Sequence, residues 1–111
     1  MREIIKLFKA LSDPNRLRIL KMLEVKPLCV CEITEALNLA TSTVSKHLSI
    51  LEDAEFITSE KDGKWVNYTL SPSGKAAALF PEITGWLSEE KIIQSDGKLL
   101  TGINRTHICG N

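Results

Sequence analysis

The chain has 111 residues, 43% hydrophobic and 25% charged, which suits one globular domain and excludes a second full domain, a disordered polymer or a fibrous repeat. Lys plus Arg and Asp plus Glu both number 14, so net charge gives no argument for a nucleic-acid partner, and no apolar run approaches the roughly 18 residues of a membrane span. The charge is uneven along the chain, with seven Lys/Arg against three acids in residues 1–26 and three Lys against five acids in 41–64. The opening Met1-Arg2-Glu3-Ile4 has no secretory pattern. Three cysteines, two of them crowded at Cys29 and Cys31, suit a reduced, cytoplasmic compartment and a chemical use rather than a disulfide framework.

Ile4, Ile5, Leu7, Phe8 and Leu11 have helical spacing and stop at Ser12-Asp13-Pro14, where Asp13 caps the next helix and Pro14 takes its first turn. That second helix carries Leu17, Ile19, Leu20 and Leu23 inward, places Arg16, Arg18 and Lys21 between them, and stops before Pro27. A third is expected over about residues 29–38, with Val30, Ile33 and Leu37 on one face, then a short break at Asn38-Leu39-Ala40. The fourth, over about 41–54, has Val44, Leu48 and Leu51 as its buried stripe, leaving Ser42, Thr43, Lys46 and Ser49 outward. The period then falls to two: Phe56–Glu60 and Trp65–Leu70 flank Lys61-Asp62-Gly63-Lys64, where an Asp-Gly pair signals a hairpin. Ser71-Pro72 repeats the cap-then-proline device and opens a last helix through about Glu90, with Ala76, Phe80, Ile83 and Leu87 inward and Pro81 bending it. From Ile92 to Asn111 no period is evident, so residues 1–91 form the domain and 92–111 a loosely structured tail.

The expected fold is mainly α with a β-hairpin wing (α+β), a winged helix-turn-helix of order α-α-α-α-β-β-α. Its residues also resemble a known family. Leu7-Phe8-Lys9-Ala10-Leu11-Ser12-Asp13-Pro14 running into Arg16-Leu17-Arg18-Ile19-Leu20, then Ser42-Thr43-Val44-Ser45-Lys46-His47-Leu48, then Gly63-Lys64-Trp65-Val66, are similar in order and spacing to the ArsR/SmtB family of bacterial metal-sensing repressors. The resemblance spans about residues 4–90 and implies a repressor, not an enzyme, whose fourth helix enters the major groove of double-stranded operator DNA. Thr41, Ser42, Thr43, Ser45, Lys46 and His47 on that helix, with Lys61 and Lys64 on the wing, are the DNA-contacting candidates. Small hydroxyls let a helix approach the groove closely, and Lys46 and His47 reach phosphates or base edges. The competing reading has the hydroxyls solvating a surface helix and His47 packed at the stripe's edge. Family members often have Ser and Gln where this chain has Ala40 and Thr41, and a wing rich in Arg where Glu60 and Asp62 dilute the lysines here.

Leu28-Cys29-Val30-Cys31-Glu32 resembles the Cys-Val-Cys element of the family's arsenic-responsive branch. The resemblance implies As(III) or Sb(III) as inducer bound by Cys29 and Cys31, with no permanent cofactor. Thiolates are soft ligands suited to these ions and to Cd(II) or Pb(II), and a helix start favours the thiolate. Residues i and i+2 lie about 200° apart around a regular helix, so joint binding is expected to distort the helix start. The branch's common third thiol falls at Thr34, which cannot supply it, so the site is two-thiolate, completed by an exogenous thiol, or completed by Cys109. Against these stand cysteines that merely pack, a Cys109 with no role, and a thiol-redox or Cd(II)/Pb(II) response in place of an arsenic one. The zinc-sensing branch places its ligands on the last helix, and no His occurs between Ser71 and Glu90. A homodimer is expected through the first helix and the Phe80/Ile83/Leu87 face of the last, with no membrane partner.

Overall fold

The computed structural model describes residues 1–103; Cys109 and His107 lie outside them. Helix α1 (Arg2–Leu11) buries Leu7 and Ala10. It ends where the Ser12 hydroxyl donates to the Phe8 carbonyl at 2.7 Å. Helix α2 (Pro14–Val25) starts as its sequence dictates: Asp13 Oδ1 accepts from the Asn15 and Arg16 backbone N–H groups at 2.8 and 3.3 Å, and Pro14 sits in the first turn. A cap of this kind contributes about 1 kcal/mol. Ile19, Leu20, Met22 and Leu23 carry α2 into the core.

The chain next makes a two-residue strand, β1 (Leu28–Cys29), absent from the expected order. Helix α3 (Val30–Leu37) follows and closes at Asn38, which adopts the left-handed region at φ 55. Helix α4 (Thr41–Asp53) buries Val44, Leu48 and Leu51, the expected stripe, and packs on α3. It terminates in a double hydrogen bond, Glu55 N–H to Glu52 O and Phe56 N–H to Leu51 O, both at 3.0 Å, with Glu55 at φ 65. That arrangement is a Schellman motif in which a glutamate takes the position usually given to glycine.

Strands β2 (Ile57–Asp62) and β3 (Trp65–Leu70) form the hairpin, and the antiparallel sheet has the order β1-β3-β2. Asp62 pairs with Trp65, so the connection is Gly63-Lys64, with Gly63 at φ 62. The strand therefore extends through Asp62, and the glycine opens the turn rather than following an aspartate within it. On the other side of β3, Leu28 faces Tyr68 and Cys29 faces Asn67.

Helix α5 (Lys75–Leu87) begins later than Ser71-Pro72 implies. The reason is that the Ser71 N–H still donates to the Phe56 carbonyl at 2.9 Å, which holds the chain in sheet-like pairing. The expectation of a loose tail from Ile92 also fails over its first part. Helix α6 (Lys91–Leu100) packs on α2 and α3 and buries Asp96 and Leu100. Arg18 compensates the buried carboxylate: its Nε and Nη2 donate to the two Asp96 oxygens at 2.9 Å each, while Nη1 donates to Asn15 at 3.0 Å. The assembly is a mainly helical winged helix-turn-helix, α3 and α4 forming the helix pair and β2–β3 the wing.

The expected dimer face divides differently. Phe80 is 6% exposed and belongs to the subunit's own core, with Ile83 and Leu87 packed against that core. The exposed large apolar side chains of α1 and α5 are instead Ile4, Ile5, Phe8 and Trp86.

Candidate nucleic-acid interface and thiol pair

Burying Val44, Leu48 and Leu51 turns the opposite face of α4 outward. Thr41, Ser42, Thr43, Ser45 and Lys46 are exposed there, and His47 is half-buried beside the stripe. Ala40 precedes the helix without a side-chain cap, so the first-turn amides of α4 have no side-chain acceptor. Such amides, at the positive end of the helix dipole, suit a phosphate oxygen. On the wing, Lys61 and Lys64 are exposed, and Lys64 Nζ lies 4.8 Å from the Trp65 ring centroid.

The three cations of α2 are engaged within the subunit. Arg18 binds Asp96, and Lys21 donates to Glu24, Thr84 and Ser88 at 2.6, 2.8 and 2.9 Å. Arg16 donates through Nε to the Ala10 carbonyl at 2.8 Å and through Nη2 to the Lys9 carbonyl at 3.0 Å, while Nη1 lies 3.1 Å from His47 Nδ1. The excess positive charge of the first 26 residues therefore serves partly to join helices. This Arg16–His47 contact links residues 31 apart, and nothing in the spacing of the sequence signals it.

Cys29 is the residue before α3, in extended conformation at φ −95, and is paired with β3; Cys31 is already helical. Their sulfurs are 4.0 Å apart. Two sulfur ligands on one tetrahedral ion, each at about 2.3 Å, stand roughly 3.8 Å apart. The expected geometric conflict, and with it the need to distort the helix, is thus absent, because only one of the two residues follows the helix.

Cys29 is 1% exposed. Its thiol pKa is raised above the ordinary value, chiefly by burial. The backbone N–H of Glu32 acts in the opposite direction, as does that of Cys31, while the Glu32 carboxylate adds to the rise. The thiolate-favouring helix start is therefore present but is outweighed. Glu32 itself is 6% exposed, and its Oε1 accepts from the Cys29 N–H at 2.9 Å, one half of a capping box. Cys31, expected as a thiol, is disulfide-bonded. Thr34 Oγ1 is buried without a hydrogen-bond partner among the described residues. No group of three or more His, Cys, Asp or Glu residues able to hold a metal occurs among them.

Comparison with known proteins agrees with this architecture. Residues 13–59 match the family model described as "Bacterial regulatory protein, arsR family". The arsenical resistance operon repressor of Escherichia coli (strain K12) is 38% identical over 92 residues, covering 82% of this chain and 79% of that protein. The chain belongs to the ArsR family. Another ArsR-family relative, the arsenical resistance operon repressor of Bacillus subtilis (strain 168), is 40% identical over 84 residues, covering 75% of this chain and 72% of that protein. Among solved structures, HlyU from Vibrio cholerae N16961 superposes with a TM-score of 0.69 at 31% identity, covering 79% of this chain and 95% of that one. As a member of the ArsR family the chain is a DNA-binding transcriptional repressor rather than an enzyme. No helix among the described residues is long and apolar enough to cross a membrane.

Proposed function

We propose that this protein is a cytoplasmic, homodimeric repressor of a metalloid-resistance operon, released from its operator when As(III) or Sb(III) engages Cys29 and Cys31. The observation that carries this reading is the 4.0 Å separation of the two sulfurs at the entrance to α3. Supporting it, the relatives in Escherichia coli and Bacillus subtilis are arsenical resistance operon repressors. Thr41, Ser42, Thr43, Ser45, Lys46 and His47 contact DNA from α4, with Lys61 and Lys64 adding wing contacts. Two recognition helices related by a two-fold axis read half-sites about one turn, roughly 34 Å, apart.

Release follows from where the sulfurs sit. Reduced Cys29 and Cys31 each exchange a thiol for an As–S bond, and As(OH)₃ loses two hydroxyls as two waters. A ligand on Cys29 acts on a residue that is both the one before α3 and the ladder partner of Asn67 in β3, so it bears on the helix pair and the wing at once. A ligand that prefers an arrangement of these elements poorer in DNA binding must weaken DNA binding by the same coupling energy, typically about 1–3 kcal/mol.

The test is fluorescence anisotropy of a labelled operator, selected from a randomised duplex pool, titrated with As(III), Sb(III), Cd(II) and Zn(II) on reduced protein. Release by As(III) and Sb(III) below the concentrations of Cd(II) and Zn(II) is expected; a complex indifferent to all four overturns the sensing role. One observation favours a second reading, a thiol-redox response: the disulfide at Cys31 leaves Cys29 as the free thiol among the described residues. Release of the same duplex on oxidation without any metal or metalloid would select it.

A further inference from the structure

We propose that Arg16 is a positioning residue for DNA reading: it anchors to the carboxyl end of α1 and locks the His47 ring so that α4 presents an Nε2–H donor to the groove. The inference rests on the DNA contact of α4 proposed above and adds which hydrogen-bond character His47 offers there.

A guanidinium has five N–H donors and no acceptor. Arg16 Nη1 lies 3.1 Å from His47 Nδ1, so the histidine nitrogen must be the acceptor. A ring whose Nδ1 accepts is neutral and carries its proton on Nε2. Among the described residues Nε2 has no hydrogen-bond partner in the subunit, and His47 is half-buried on the edge of the recognition face. The ring is therefore held by one nitrogen and offers the other.

The hold is firm because Arg16 is itself fixed. Its Nε and Nη2 bond the Ala10 and Lys9 carbonyls in the last turn of α1, the Lys9 carbonyl also accepting from the Ser12 N–H at 3.1 Å. Its backbone N–H donates to Asp13. One side chain thus ties together the end of α1, the start of α2 and the middle of α4. Its rigidity matters to recognition, because an unrestrained neutral histidine interconverts between donor and acceptor forms at either nitrogen. A fixed Nε2–H can bond guanine O6 or N7, adenine N7, thymine O4 or a phosphate oxygen, but cannot accept from the amino groups of adenine or cytosine. Arg16 thereby contributes to sequence preference without touching DNA.

Long-range ¹H–¹⁵N correlation spectra of the reduced, ¹⁵N-labelled protein test this directly, with His47→Gln assigning the His47 signals against those of His107. A single tautomer with Nδ1 unprotonated is expected. Arg16→Met, which keeps the aliphatic stem but removes the donors, should give tautomer-averaged shifts. A proton on Nδ1 in the parent protein overturns the proposal even if Arg16→Met fails to fold, and so does an unchanged tautomer in folded Arg16→Met. On duplexes selected from a randomised pool, Arg16→Met should reduce the preference for selected over unselected DNA by about tenfold while changing unselected binding by no more than about twofold. A uniform loss on all duplexes would mark Arg16 as a structural strut and overturn the reading role. Should the parent protein bind no duplex, the proposed DNA contact and the reading role fall together, while the tautomer measurement still reports whether Arg16 orders the ring.

Discussion

At Cys29, burial and chemistry pull in opposite directions. The sulfur receives helix-start amides yet stays a thiol, because desolvation raises its pKa beyond what those amides lower. Cd(II) must displace a proton from Cys29 to bind it, so its affinity for reduced protein should rise by at least about tenfold per pH unit at pH values below that raised pKa. As(OH)₃ releases water instead of protons and should bind with little pH dependence between pH 6 and about pH 8, a contrast that parallel titrations would reveal. Cys29→Ser keeps the shape but discards the soft ligand, so it should retain DNA binding and lose As(III) release, measured by anisotropy. Thr34 has a buried hydroxyl with no partner among the described residues, so replacing it removes no hydrogen bond. Thr34→Cys should supply a third thiol, leave stability nearly unchanged, and lower the As(III) concentration needed for release.

Among the elements, the stripe of α4 and the Asp13-Pro14 start of α2 are legible in the sequence because each rests on local rules: helical period and capping. Helix α6 is not, because its inward face carries an aspartate where an apolar residue would announce it. Asp96 is tolerable only because Arg18, 78 residues away, neutralises it, and no local pattern contains that partner. Strand β1 is two residues long, too short to show a period, and its existence is decided by β3. That pairing also corrects the reading of the thiol pair, since the helix geometry assumed for Cys29 does not apply to it. The clearest test of α6 as an integral element is Asp96→Ala, which leaves the largely buried Arg18 without its counter-charge and should cost about 2–4 kcal/mol in urea denaturation. Glu55→Gly should have the opposite sign, stabilising by about 0.5–1 kcal/mol by relieving the left-handed glutamate that closes α4.

For the whole molecule, the exposed apolar side chains of α1 and α5 set the expected mode of self-association. Phe8 is 54% exposed and Ile5 47%, while Leu7 and Ala10 between them anchor α1 to the subunit. Phe8→Glu should therefore leave the fold intact and shift the sedimentation profile from dimer toward monomer, weakening operator binding in proportion. The Arg18–Asp96 ion pair has a different consequence, one that concerns the order of events during synthesis. Helices α2, α3 and α4 are close in sequence and can collapse together soon after they leave the ribosome, but the guanidinium on α2 then waits for a carboxylate made some 78 residues later. Until that segment emerges, the side of α2 and α3 that α6 will cover is open, and Leu100 and Ile103 have yet to seal it. The nascent repressor should accordingly remain susceptible to proteolysis until α6 has been translated, even when its DNA-reading helices are already formed.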